Sequence, residues 1–215
     1  MEVERVWDYA LSGEVAFWKR FITGKQFARY SKAPLLKSYF APMMEGKTKV
    51  SILDIGSGAC PTGGWTWPGV DVHFVQADAL AEQYLTIYDE LGIVPPLPIE
   101  EQNMTAMTYS DASFDIVHCR NALNHCADPL QAVREMVRVS REWVCLSHGE
   151  APYAVERYKG MHLWHISMAD DGKDVVIWGK DNKFLLSECV LGFSSYSDPR
   201  QYKKTRIVMS YLRKN

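Results

Sequence analysis

The stretch Ser51-Ile-Leu-Asp-Ile-Gly-Ser-Gly-Ala-Cys-Pro-Thr-Gly-Gly64 (SILDIGSGACPTGG) runs from a short apolar segment into a glycine-rich turn. Gly56 and Gly58 are separated by one residue, and Asp54 stands two residues before the first of them. A loop of this kind can hold a phosphate, a dinucleotide or something else. Two glycines alone are weak evidence, so the surrounding residues must decide among these ligands.

The first two ligand classes fit the loop poorly. A phosphate loop of the GxxxxGK[ST] kind is excluded, because no Lys-Ser or Lys-Thr follows a glycine at the required spacing. The dinucleotide fingerprint GxGxxG needs a third glycine where this chain has Pro61. Asp78 could bind a ribose in either case, so a nicotinamide or flavin cofactor remains the second choice. The carboxylate of Asp54 would repel a pyrophosphate and attract an ammonium group, which favours a ligand with a cationic part.

The rest of the chain predicts alternating strands and helices. Apolar runs rich in β-branched residues predict strands buried on both faces of a parallel sheet, at 50–55, 72–76, 114–119 and 143–147. Helical periodicity predicts helices at 13–30, 79–91 and 129–138. Later apolar runs lie at 174–178 and 184–190 and a final strand is predicted at 205–212, an order that fits a late antiparallel pair on a parallel sheet.

Four short motifs follow one another between residues 50 and 147. They are the glycine loop, the acid at the end of the second strand, the pair Asn103-Met104 followed by YSDASFDIV, and RNALNHCADP after the fourth strand. In this order they resemble the class I S-adenosylmethionine-dependent methyltransferases, of the methyltransferase type 11-like kind. The resemblance implies an enzyme with S-adenosyl-L-methionine as its cofactor. It also implies an α/β, Rossmann-like fold, with a mostly parallel seven-stranded sheet, a late antiparallel strand and helices on both faces.

The same resemblance implies which residues hold the cofactor. The glycine loop would lie against the methionine part, and Asp78 would take the ribose hydroxyls. Asn103, where the family usually has Asp, would accept a hydrogen bond from the adenine amino group. The implied cofactor-binding residues are Asp54, Gly56, Ser57, Gly58, Asp78, Ala79, Asn103, Met104, Arg120 and Asn121.

The domain organisation predicted from the sequence is one compact unit with a helical N-terminal part. Residues 1–48 are expected to form an N-terminal helical cap, and residues 49–215 the S-adenosylmethionine-binding core. The stretch CPTGGWTWPG at 60–69 departs from the family, because it is poor in helix formers where the first long helix normally starts. We therefore expect this helix to be short or distorted.

Two histidines near predicted strand ends are candidate general bases. Neutral imidazole suits an acceptor that must lose a proton near pH 7, where the ordinary histidine pKa is about 6.5. His125 and His148 are therefore predicted as catalytic, with packing or capping as the open alternative for both. His118 is expected in the core and His73 on the surface, and no ligand spacing supports a metal site. The predicted substrate contacts are Glu150, His162 and Trp164.

The acceptor is predicted from the layout of the whole chain. An N-terminal FW-containing helix, the RNALNH turn and a GMHLWH insertion look like a group of methyltransferases associated with glycan assembly. This resemblance implies O-methylation of a sugar hydroxyl in a glycan or polysaccharide. Methylation of RNA, protein or a small metabolite remains an alternative, as does a non-catalytic cofactor-binding subunit.

Composition narrows the remaining choices. The formal charge is -2 and the sequence pI is about 6.3, so no extended nucleic-acid surface is expected. The five cysteines include no CxxC, which predicts reduced, mostly buried thiols. No apolar run approaches the ~20 residues of a membrane span, so we expect a cytoplasmic protein without membrane contact. The sequence leaves the oligomeric state open.

Overall fold

The computed structural model describes residues 2–25, 27–30, 34–150, 162–190, 193–202 and 205–215. For residues 2–10, 29, 193–202 and 205 it describes the backbone only.

A seven-stranded sheet forms the centre of the molecule. Its strands are β1 (Lys49–Ile55), β2 (Asp71–Asp78), β3 (Ile99–Glu101), β4 (Phe114–Arg120), β5 (Ser140–Gly149), β9 (Phe193–Tyr202) and β10 (Thr205–Lys214). They lie in the order β3-β2-β1-β4-β5-β10-β9. The first five strands of this order pair in parallel, and β10 runs antiparallel to both of its neighbours. The expected mostly parallel sheet with a late antiparallel strand is therefore confirmed.

Helices cover both faces of this sheet because its strands are apolar on both sides. Leu53 and Val144 pack into the cluster that contains α5, while their neighbours Ile52 and Cys145 pack into the cluster that contains α3. Successive strand residues point to opposite faces, so one strand can fill two cores. The helices are α1 (Glu2–Ile22), α2 (Phe27–Tyr30), α3 (Lys37–Met44), α4 (Ala81–Leu91) and α5 (Pro129–Val139).

The N-terminal helix differs from the one predicted over residues 13–30. It begins at Glu2 and ends at Ile22, where a turn over 23–25 separates it from α2. Gly24 lies in that turn and has low helix propensity. Trp18 and Ile22 pack with Tyr84 and Tyr88 of α4, so α1 lies over the part of the sheet that carries the glycine loop.

No helix forms between β1 and β2, a segment that the structure describes in full. Residues 58–63 form consecutive turns, where the sequence predicts a short or distorted helix. Pro61 lacks a backbone donor and Gly63 favours non-helical conformations, so the segment cannot sustain helical hydrogen bonding. The turns are nevertheless packed, since Ala59 and Cys60 are fully buried.

A second, antiparallel sheet of three strands follows β5. It contains β6 (His165–Met168), β7 (Val175–Trp178) and β8 (Lys183–Leu185). The apolar run over 184–190 does not form one strand. The strand ends at Leu185, and a 3₁₀ turn, Leu186–Cys189, follows it. Across the described ranges, no helix has both the length and the apolar character needed to cross a membrane.

Candidate active site

A cavity of about 760 Å³ opens at the carboxyl ends of the parallel strands. This is where open α/β sheets bind their ligands, and pockets of roughly 300–1,000 Å³ hold cofactor-sized molecules. Every predicted cofactor-binding residue except Asp54 lines the cavity: Gly56, Ser57, Gly58, Asp78, Ala79, Asn103, Met104, Arg120 and Asn121. The predicted catalytic and substrate residues that line it are His125, His148, His162 and Trp164.

The two glycines of the loop are needed for close packing. Gly56 and Gly58 have φ values of +69° and +67°, in the left-handed region that favours glycine. A Cβ on Gly56 would lie 2.4 Å from the Ala122 Cβ, and a Cβ on Gly58 would lie 1.9 Å from the Trp18 ring. The loop is therefore held between the residues after β4 on one side and α1 on the other.

Asp78 joins the end of β2 to the glycine loop. Its Oδ2 accepts a hydrogen bond from the Gly58 amide at 2.8 Å, and its Oδ1 accepts one from the Leu80 amide at 2.9 Å. Burial raises the pKa of this carboxyl to about 6, against the lowering effect of the two amides, with a smaller raising effect from Glu14 and Asp54. Asp78 lines the cavity, although only 9% of the residue's surface is exposed.

Asp54 has a different place from the one the sequence suggests. The sequence predicts that its carboxylate meets a cationic group of the ligand, but the residue is 2% exposed and lies outside the cavity lining. Its Oδ1 lies 2.8 Å from Nδ1 of His118, the core histidine of β4. The neighbouring strand therefore supplies the partner of this carboxylate.

Asn103 is bonded in a way that changes its expected role. Its Oδ1 accepts from the amide and the hydroxyl of Thr105, at 3.0 and 2.8 Å. These bonds occupy the carbonyl oxygen that was expected to accept from an adenine amino group. The Nδ2 amide group is the part of the side chain left for a ligand. Met104 lies beside the loop, with its Cε 3.0 Å from the Cβ position of Gly56.

Arg120 and Asn121 end β4 at the cavity. Arg120 donates from an Nη atom to the Thr62 carbonyl at 3.0 Å, and its guanidinium lies 5.4 Å from the centre of the Tyr39 ring. Asn121 has a φ of +52° and accepts through Oδ1 from the Gly149 amide at 2.9 Å. This bond ties the ends of β4 and β5 together.

Two imidazoles line the far end of the cavity. His148, the penultimate residue of β5, is 4% exposed, and neither of its ring nitrogens has a hydrogen-bond partner within the described ranges. Nε2 of His125, in the 3₁₀ turn Leu123–His125, is buried and likewise without a partner there. Burial, with a smaller effect of neighbouring histidines, lowers the pKa of His125 to about 4 and that of His148 to about 3. Both rings are therefore neutral at pH 7.

The segment before β6 closes this end of the cavity. His162 packs edge-on against the His125 ring, with centroids 4.8 Å apart, and its Nδ1 lies 2.7 Å from Nδ2 of Asn124. Trp164 is half-buried and donates from Nε1 to the Cys126 carbonyl at 3.0 Å. A Cβ on Gly179 would lie 2.8 Å from the Trp164 ring, so the glycine lets the indole pack against the residue that follows β7.

Glu150, predicted from the sequence as a substrate contact, is held by partners outside the described cavity lining. It lies outside the cavity lining, and its side chain is 3% exposed. Its Oε2 pairs with Nε of Arg206 at 2.9 Å, and its Oε1 accepts from the Met168 amide at 3.0 Å. These partners make Glu150 a link between the central sheet and β6.

Glu14 of α1 is the cavity residue that the sequence reasoning missed. It lines the cavity, and its Oε1 accepts from Nε1 of Trp18 at 2.8 Å. Burial raises the pKa of its carboxyl, while the Trp18 bond and the nearby His162 lower it. Its position four residues before Trp18, on one side of a helix, is the signal that could have found it.

Within the part of the chain that the structure describes, no three histidine, cysteine, aspartate or glutamate side chains are grouped as metal ligands.

Comparison with known proteins points to one kind of domain. Residues 53–143 match the family model described as a methyltransferase domain. No curated protein sequence matches the chain.

Solved structures share the fold across nearly all of the chain. A protein from Methanococcus maripaludis, assigned as an S-adenosyl-L-methionine-dependent methyltransferase, has a TM-score of 0.53 and 12% identity, covering 94% of this chain and 92% of its own. The CurJ carbon methyltransferase has a TM-score of 0.54 and 12% identity, covering 94% of this chain and 59% of its own. At these identities the similarity establishes the fold alone.

Proposed function

We propose that this chain, whose residues 53–143 match a methyltransferase domain and whose fold is shared with a class I enzyme, uses S-adenosyl-L-methionine to methylate a hydroxyl group of an uncharged acceptor, a sugar of a glycan or polysaccharide. The observation that carries the proposal is the pair of neutral imidazoles, His125 and His148, at the far end of the cavity.

The cavity residues fit the cofactor. Each oxygen of Asp78 accepts one amide bond and keeps a lone pair for a ribose hydroxyl. Arg120 would pair with the carboxylate of the methionine part beside the glycine loop. Asn103 would donate from Nδ2 to an adenine ring nitrogen, since Thr105 occupies its Oδ1. When bound, S-adenosyl-L-methionine supplies a methyl group activated by its sulfonium charge.

The histidines fit an acceptor that must lose a proton. A hydroxyl can donate to one neutral ring nitrogen and accept from the N–H of another, and this would satisfy nitrogens that have no partner within the described ranges. His148 or His125 would then accept the hydroxyl proton as transfer proceeds. The low pKa values make both rings weak bases but keep them unprotonated over the whole neutral range.

The wall beside the histidines supports a sugar as the acceptor. Trp164 is fixed by its bond to the Cys126 carbonyl and lines the cavity with an aromatic surface. Rigid aromatic side chains offer an apolar face at little cost in conformational entropy. The near-neutral net charge, -2, supplies no broad basic surface for a polyphosphate backbone.

The test is turnover with defined classes of acceptor. The protein is incubated with S-adenosyl-L-methionine and with sugars and glycans, RNA, protein or small metabolites, and S-adenosylhomocysteine formation is followed. We expect turnover with the carbohydrate fraction and a methyl ether in the product. His148→Asn and His125→Asn should each lower kcat/KM by about 100-fold, as loss of a general base does. His73→Asn, on the exposed side of β2, is the matched control and should leave the rate unchanged.

Other products would overturn the proposal in distinct ways. A product methylated on an amine, on carbon or on a nucleic acid would contradict the proposed sugar hydroxyl as the acceptor. Tight cofactor binding without turnover on any acceptor class would favour a non-catalytic subunit. Full activity in both histidine variants would show that neither His125 nor His148 acts as the base.

A further inference from the structure

We propose that Glu14 of α1 places its carboxylate against the sulfonium part of bound S-adenosyl-L-methionine, so that the site prefers the charged cofactor to its neutral product, S-adenosylhomocysteine. The inference concerns the cofactor alone and does not depend on the identity of the acceptor.

A chain of contacts fixes Glu14 beside the glycine loop. Its Oε1 accepts from Nε1 of Trp18 at 2.8 Å, and the Trp18 ring lies where a Cβ of Gly58 would be. The Gly58 amide donates in turn to Asp78 at 2.8 Å. Glu14 therefore stands over the point where the loop meets the carboxylate proposed for the ribose.

On its other side Glu14 faces the histidine end of the cavity. His162 lies close enough to lower the pKa of the Glu14 carboxyl. The His162 ring also packs against His125, one of the two proposed bases. Glu14 thus lies between the proposed ribose site and the acceptor site. A methyl donor must present its sulfur between these two sites, because the methyl group bridges them.

The charges of the cavity lining support a cation beside Glu14. Of the residues that the structure describes, Glu14 and Asp78 are the acidic ones in that lining, since Asp54 lies beneath it and is bonded to His118. Asp78 is engaged by two backbone amides, whereas the hydrogen bond described for Glu14 comes from the neutral indole of Trp18. A partly buried carboxylate whose described hydrogen bond comes from a neutral donor gains from a cationic ligand.

The test compares affinities for the charged and neutral forms of the cofactor. Calorimetric titration of the full chain with S-adenosyl-L-methionine and with S-adenosylhomocysteine gives two Kd values for wild type and for Glu14→Gln. We expect Glu14→Gln to weaken S-adenosyl-L-methionine binding by about tenfold, as for a partly screened charge pair, and S-adenosylhomocysteine binding by less than about twofold. Both ligands carry the same ammonium group, so the ratio of the two Kd values reports the methylsulfonium group, and its change in Glu14→Gln reports the interaction of that group with the carboxylate.

Two further variants separate charge from structure. Trp18→Phe keeps an aromatic ring but removes the Nε1–H donor, so it should shift the ratio in the same direction by a smaller factor. Glu82→Gln removes an exposed carboxylate from α4 and should leave both Kd values unchanged. Equal weakening of both ligands by Glu14→Gln would show that Glu14 only holds α1 in place and would overturn the proposal. An unchanged ratio with unchanged affinities would overturn it as well.

Discussion

At the scale of single residues, Asp78 serves the fold and the cavity with one carboxylate. It accepts the amides of Gly58 and Leu80, which fixes the glycine loop against the end of β2. The same carboxylate is buried, so its pKa is raised to about 6. Holding a buried negative charge at neutral pH costs stability, and a cavity residue under such a cost is a candidate for ligand binding.

The raised pKa of Asp78 predicts a pH dependence of folding. The pKa of Asp78 is about 6 in the folded protein, against an ordinary value of 3.8, so the folded state binds the proton more tightly than the unfolded state does. The contribution of this proton to the free energy of unfolding is full below pH 4 and is lost as pH rises through 6. We expect the free energy of unfolding of wild type, relative to Asp78→Asn, to fall by roughly 1–3 kcal/mol between pH 4 and pH 7. Urea denaturation at several pH values measures this difference. Asp71→Asn, at the exposed start of β2, should give curves parallel to wild type, and parallel curves for Asp78→Asn would contradict the prediction.

The histidines predict an unusual pH profile of activity. An ordinary histidine base would make kcat/KM rise near pH 6.5, as the sequence alone suggests. Burial lowers the pKa of His125 to about 4 and that of His148 to about 3, so protonation sets in only well below pH 6. We expect kcat/KM to show no titration of a histidine between pH 6 and pH 8 and to fall toward pH 4. Initial rates in buffers of constant ionic strength measure this profile. A limb near pH 6.5 that disappears in one histidine variant would show that the ring is less buried during turnover.

The sequence motifs predict the positions of some of these residues in the fold but not of others. Asp78, His125 and His148 follow predicted strands, and parallel strands bring their carboxyl ends to one edge, so their convergence on the cavity could be predicted. The spacing of Glu14 and Trp18 puts them on one side of a predicted helix, but the place of that side in the cavity wall could not be predicted, because it depends on how α1 docks. The ion pair of Glu150 could not be predicted for a related reason, since its partner Arg206 comes from the distant strand β10.

At the scale of elements, α1 packs closely against the glycine loop and forms part of the cavity wall. Trp18 is 7% exposed, and its ring takes the space that a side chain at position 58 would need. The sequence predicts an amphipathic helix here but not its start at Glu2, because periodicity does not mark helix ends well. The missing helix after β1 was partly foreseen from its prolines and glycines.

Replacing Gly58 tests this docking. Gly58→Ala combines a positive φ with a Cβ placed 1.9 Å from the Trp18 ring, and we expect it to cost about 2–4 kcal/mol of unfolding free energy. Gly69 has a φ of +75° with open space around its Cβ position, so Gly69→Ala should cost only about 1 kcal/mol. Chemical denaturation measures both. In a Trp18→Ala background the excess cost of Gly58→Ala should disappear, and an excess that persists would place the strain elsewhere.

At the scale of the whole molecule, one sheet with apolar strands organises two cores. The near-continuous apolarity of β1, β4 and β5 predicts burial on both faces, and this is how the strands pack. The small sheet of β6, β7 and β8 was predicted only in part, since short apolar runs do not state which strands they pair with. The cysteines follow the prediction from composition: all five are buried and none forms a disulfide.

Thiol reactivity should therefore report unfolding of the whole molecule. Burial raises the pKa of Cys60 and Cys126 to about 12, so little reactive thiolate exists at pH 8. We expect almost no reaction of the native protein with a disulfide reagent and reaction of all five thiols in urea. Lys180→Cys, at an exposed turn, should add a single fast-reacting thiol. A native cysteine that reacts as fast as this one would contradict the expected burial.

The position of β10 inside the sheet means that synthesis and assembly of the sheet follow different orders. β9 leaves the ribosome before β10, yet within the described sheet it pairs with β10 alone, and β10 pairs with β5. β9 must therefore wait for a later segment before it can join, and until then β5 is an edge strand open to pairing with other chains. A message truncated before Thr205 would remove two strands from the sheet although it deletes the codons of only one, and nascent chains stalled there should be the species most prone to aggregate.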